Sequence, residues 1–95
     1  MNEKIDLESV LDLERLALPK RPRVVEIRAK PYVDSLGDRE LAVIVVLDEQ
    51  TKPNERRWKR LQPIDDAIKR ALTDAGDTRF PYMTYLKRSE LSAGD

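Results

Sequence analysis

Histidine and cysteine are both missing from this chain of 95 residues. Without cysteine there is no disulfide framework, no thiolate nucleophile and no Cys-based metal site. The lack of histidine excludes more, because it is the commonest general base near neutral pH and the commonest transition-metal ligand. Neither a Ser-His-Asp nor a Cys-His arrangement can be assembled within the chain. Glycine is scarce as well: Gly37, Gly76 and Gly94 lie too far apart to build a phosphate-cradling loop. No apolar run reaches the about 20 residues of a membrane-spanning helix, and residues 1–6 carry no apolar core of a signal peptide. No membrane contact and a cytoplasmic location are the expectation. Charge of one sign is also lacking. Lys plus Arg and Asp plus Glu number 18 each, for a formal net charge of zero. That balance gives no global pull toward nucleic acid or an anionic surface. No cofactor, no catalytic residue and no metal site are expected, so the chain reads as a non-catalytic protein.

What is present is a small α+β (or small α/β) plan in a single domain, residues 1–95, with 1–5 and 89–95 as loose termini. Leu41 to Leu47 is an unbroken apolar run rich in β-branched side chains, the pattern of a strand buried on both faces. Before it, Val25, Ile27, Ala29, Pro31 and Val33 alternate with charged or polar residues, which predicts a half-buried strand over 24–33. Pro31 cannot donate to a ladder and places that strand at an edge. Asp34-Ser35-Leu36-Gly37-Asp38 supplies turn chemistry between the two.

Helices flank this hairpin. Asp6 is a good N-cap for a first helix over 6–18, ended by Pro19. The main helix is expected from Pro63 to Ala75, with proline at its first position. Its apolar face is Ile64, Ala67, Ile68, Ala71, Leu72 and Ala75, and Gly76 serves as C-cap. Glu55–Leu61 reads as a separate helical turn, with Trp58 and Leu61 facing inward. A final strand covers 80–87. The order is α-β-β-α-β, and the simplest sheet is three-stranded and mixed, with 41–47 central. It runs antiparallel to 24–33 on one side and, through a right-handed crossover, parallel to 80–86 on the other.

Two clusters bear on function. Lys52, Arg56, Arg57, Lys59 and Arg60 form the densest cationic run, with Trp58 inside it and Glu55 as its one acid. Such a set can hold phosphates while the indole stacks on a base; the same residues also suit a solvated helix face around a core tryptophan. The three-stranded plan resembles RNA-binding sheets in architecture. The paired aromatics of a Gly-rich motif are missing, and Tyr32 and Tyr85 are the only substitutes. Asp48 and Glu49, at the carboxyl end of the central strand, are placed where Mg²⁺ can be held. Turn and cap roles are the expected explanation for them, as for Asp34, Asp38, Asp65, Asp66, Asp74 and Asp77.

The leading expectation concerns the sheet. If the main helix covers one face of the 41–47 strand, Ala42, Ile44 and Val46 lie on the other. That face needs cover from the first helix, a second copy, or another protein. The chain is therefore read as an adaptor, regulatory subunit or antitoxin-like partner, with Tyr32, Ile44, Val46 and Tyr85 as apolar contacts and Arg56 and Arg57 at the rim. The alternative is RNA or single-stranded nucleic acid on Arg56, Arg57, Trp58, Lys59 and Arg60.

Overall fold

The computed structural model describes residues 5–92; residues 1–4 and 93–95, read above as parts of loose termini, lie outside the described residues. The apolar run becomes the middle of a three-stranded sheet. Strand β2, Arg39–Leu47, pairs antiparallel with β1, Val24–Val33, and parallel with β3, Phe80–Lys87, in the order β1-β2-β3. Leu41, Val43, Val45 and Leu47 are completely buried on one face of β2. Each such side chain withdrawn from water contributes about 1.5–3 kcal/mol.

The hairpin turn is held by one carboxylate. Asp34 Oδ1 accepts from the N–H groups of Leu36 and Asp38, both at 2.9 Å. Gly37 takes φ +87°, a conformation that side chains with a Cβ disfavour. At the other end of β1 a bulge between Val24 and Glu26 shifts the register by one, so Val24 pairs with Leu47 and joins the core.

A long helix, α2, covers the core face of the sheet. It runs from Trp58 to Asp74, one and a half turns earlier than the proline predicts, with Pro63 in its interior. Leu61 is buried in the core cluster with Ile64, Ile68 and Leu72, which anchors the added turns. Pro63 is exposed, so the carbonyl left without its amide partner can be met by water. The helix ends in a Schellman motif: Asp77 N–H donates to the Leu72 carbonyl at 2.9 Å, Gly76 N–H to Thr73 at 3.0 Å, and Gly76 has φ +82°.

The first helix is much shorter than its apolar pattern predicts. α1 spans Leu7–Val10, and Asp6 caps it by accepting from Ser9 N–H. Asp12 then competes with the helix. Its side chain accepts from Glu14 N–H at 2.9 Å, and its carbonyl accepts from Arg15 and Leu16, converting the helix into turns. The apolar residues are used all the same: Leu11 is buried in the core, and Leu7, Val10, Leu13, Leu16 and Leu18 pack against it. The N-terminal segment thus shares the α2 face of the sheet. A short helix, α3, Arg88–Ser92, follows β3 where a loose tail was expected.

Candidate binding face

Register determines what the other side of the sheet presents. Directly paired residues share a face, so four rows run across the strands: Tyr32-Glu40-Phe80, Lys30-Ala42-Tyr82, Arg28-Ile44-Thr84 and Glu26-Val46-Leu86. None of these residues belongs to the core cluster beneath α2. This is the side of the sheet turned away from α2.

Its two ends differ. At one end, Glu26 of β1 and Arg88 at the start of α3 form an ion pair of 3.2 Å that spans β2. Val46, in the Glu26 row, is fully buried. The Arg28 guanidinium holds the Glu26 carboxyl below its ordinary range, with Arg88 adding to the effect. At the other end the face is aromatic and open. Phe80 and Tyr82 meet edge to face with centroids 4.7 Å apart, and Tyr82 reaches Tyr32 at 6.1 Å. Phe80 is 53% exposed, Tyr82 50% and Tyr32 38%; Leu36 is exposed at the hairpin turn, and Val33, paired with Arg39, is exposed on the opposite side of β1. Lys69 of α2 stands 5.9 Å from the Phe80 ring centroid.

Glu40 lies in the middle of this aromatic end, between Tyr32 and Phe80 in register. It is only 7% exposed, and its Oε2 has no hydrogen-bond partner. Burial, and then the neighbouring Asp34 and Asp38 carboxylates, push its pKa up.

The predicted contact residues divide between the two faces. Tyr32 and Ile44 are on the open face as expected; Val46 is there too, but sealed. Tyr85 is not. Its parallel partner is Val45, so it faces α2, where its hydroxyl donates to Asp65 at 3.4 Å. Burial, aided by Asp65, raises the phenol far above its ordinary range. Phe80 and Tyr82 take the place that Tyr85 was given. The signal for them is their i, i+2 spacing, legible only once the crossover register is known.

The basic segment also divides. Arg56 is a structural residue: its guanidinium donates to both Glu90 oxygens, at 2.9 and 3.0 Å, and to the Tyr85 carbonyl at 3.2 Å. Arg57, Lys59 and Arg60 are exposed, and so is Trp58, at 56%. The inward-facing tryptophan of the sequence reading is therefore an outward one. It stands on the first turn of α2, where Leu61 takes the core position instead.

The acids after β2 are committed to local contacts. Asp48 accepts from Gln50 N–H at 2.7 Å and pairs with Arg23 at 3.6 Å. Glu49 accepts from Ser89 Oγ and N–H. These two carboxylates tie the β2–α2 loop down rather than converging on one point. Comparison with protein-family models, with curated proteins and with solved structures gives no match for this chain.

Proposed function

We propose that this chain is a non-catalytic binding module that docks onto another protein surface, a second copy of itself included, through the open face of its sheet. The observation that carries the reading is the exposed cluster of Tyr32, Phe80 and Tyr82. Three large rings, with Tyr82 touching each of the other two, lose little side-chain entropy on binding, and tyrosine is enriched among the residues that dominate interfaces. An aromatic cluster left exposed among the described residues is a recognised mark of such a site.

Two features favour the face over the edges. Both outer strands are open to pairing, yet β1 carries Pro31 and β3 carries Pro81. A proline interrupts the ladder that an added strand would need. The face also carries both signs of charge: Arg28 and Lys30 in its middle rows, Asp34 and Asp38 at the hairpin. An apolar cluster rimmed by opposite charges suits a partner with complementary potential.

The test is light scattering and partner capture with the wild type and with Tyr32→Ala/Tyr82→Ala. The reading expects association, with itself or with a second protein, that the double variant loses while remaining folded. A wild-type chain that stays monomeric at high concentration and captures nothing contradicts it.

A second reading is favoured by the exposure of Trp58. With Arg57, Lys59 and Arg60 around it, the first turn of α2 offers an aromatic surface and three cations to a single-stranded nucleic acid. Quenching of the single tryptophan by RNA at low salt, relieved as salt rises, is its signature. Unchanged emission eliminates it.

A further inference from the structure

We infer that Asp34, Asp38 and Glu40 form a binding site for a hard divalent cation, Ca²⁺ foremost, at the closed end of the β1–β2 hairpin. One carboxylate oxygen from each residue lies within 4.8 Å of those of the other two. Oxygens bound to one Ca²⁺ at 2.3–2.6 Å stand at most about 4.6–5.2 Å apart, so the three are near the spacing of one coordination shell, which a small side-chain adjustment completes.

Proximity alone would be unremarkable in a turn, and the independent observation is Glu40. The residue is only 7% exposed, and its Oε2 accepts no hydrogen bond, although the carboxyl lies within reach of the Asp34 carboxyl and the Phe80 backbone. A buried carboxylate oxygen with no partner is costly, the more so with two further carboxylates beside it. Among the described residues no lysine or arginine pairs with any of the three. The hairpin therefore concentrates negative charge, and its cations Lys30 and Arg39 are not ion-paired with the three acids. A divalent ion gives Oε2 its missing partner and offsets all three charges at once.

Geometry and donor type narrow the choice of ion. The Asp34 carboxylate is fixed in orientation, because its Oδ1 accepts from Leu36 and Asp38 N–H while the other oxygen is left for a ligand. Glu40 is fixed by burial and by its strand. All donors are carboxylate oxygens, which suit Ca²⁺, Mg²⁺ or Mn²⁺ rather than the softer metals that need imidazole or thiolate. With three protein ligands, water must complete the shell. The affinity expected is that of weak calcium modules, with Kd about 10⁻⁴–10⁻³ M. This inference is independent of the docking proposal, although the ion would sit beside Tyr32 and the aromatic cluster.

The experiment is thermal unfolding at constant ionic strength, with and without CaCl₂ at about 10 mM, roughly ten times the weakest Kd expected. The wild type should melt several degrees higher with the ion. Glu40→Gln and Asp38→Asn should lose that rise, and Asp74→Asn, an exposed acid at the far end of α2, should keep it. Should Glu40→Gln fail to fold, Asp38→Asn carries the comparison, since Asp38 is an exposed turn residue. A second readout is terbium luminescence sensitised by Tyr32, the cross-strand neighbour of Glu40; Asp38→Asn should reduce it several-fold. A wild-type melting point indifferent to both CaCl₂ and MgCl₂ overturns the site and assigns the trio to a shared proton between Asp34 and Glu40. An Asp38→Asn variant that responds as the wild type does also overturns it.

Discussion

The rings of Tyr32 and Tyr82 lie 6.1 Å apart, centroid to centroid, although their strands stand on opposite sides of β2. They meet because Ala42, between Lys30 and Tyr82 in its row, is too small to separate them. One methyl group in the middle strand thus lets two edge strands build a common aromatic surface. Because Tyr82 is half in water and lies outside the core beneath α2, its removal should cost the fold little. Tyr82→Ala is expected to change unfolding free energy by less than about 1 kcal/mol while abolishing partner association. Urea denaturation measured beside partner capture checks both halves.

Glu40 should make stability depend on pH in an unusual direction. Its pKa is raised in the folded state, by burial first and by Asp34 and Asp38 next. A carboxyl so shifted binds its proton more tightly in the folded chain than in the unfolded one. The stability linked to it is fully present below the ordinary glutamate range and is lost as pH rises through the folded value. Glu40→Gln, which cannot ionise, is therefore expected to melt higher than the wild type at neutral pH without divalent ions. Its advantage should vanish as pH falls below about 4.3, the ordinary glutamate pKa. Melting curves across pH check this.

Asp77 works in the opposite sense. The Arg79 side chain, 2.6 Å away, holds its carboxyl below the ordinary range. Stability linked to this group is present above the unfolded pKa and lost as pH falls through the folded one. Asp77→Asn should thus destabilise at neutral pH and matter less in acid, as denaturation at the two pH values would show.

Pro63 is a misfit within α2. Its ring removes a backbone hydrogen bond in a helix that Leu61 and Ile64 otherwise hold to the core. Pro63→Ala should raise stability by an amount approaching the roughly 3 kcal/mol that separates proline from alanine in a helix interior. Chemical denaturation checks the sign directly.

The architecture was legible in the sequence because its strongest signals are local. Leu41–Leu47 has no role but a central strand, and Asp34-Ser35-Leu36-Gly37-Asp38 is unambiguous turn chemistry. Less legible were features decided by competition or by distant register. Asp12 has to be weighed against the apolar stripe around it to see that α1 stops at Val10. Pro63 reads as a helix start until Leu61 is known to be needed in the core. Whether Tyr82 or Tyr85 faces outward depends on one residue of register across a crossover, and strand alternation alone is symmetric in that choice. Glu40 was hidden for a similar reason. Nothing in its neighbours reveals that Tyr32 and Phe80 flank it.

Arg56 and Arg57 are adjacent in sequence and differ in what they do. Arg56 bridges the 3-10 turn at Pro53–Arg56 to α3 through its two bonds to Glu90, whereas Arg57 is exposed. Arg56→Ala should lower the melting temperature, and Arg57→Ala should leave it unchanged. Differential scanning of the two variants separates the structural cation from the surface one.

The docking face is tested most directly by a photoreactive phenylalanine analogue placed at position 82, on the open side of the sheet, and in a second variant at position 73, on the exposed side of α2. Irradiation in cells should give protein adducts from position 82, to a second copy of this chain or to another protein, and none from position 73. Equal labelling from both positions, or no protein adduct from position 82, would contradict the claim that this chain works through the open side of its sheet.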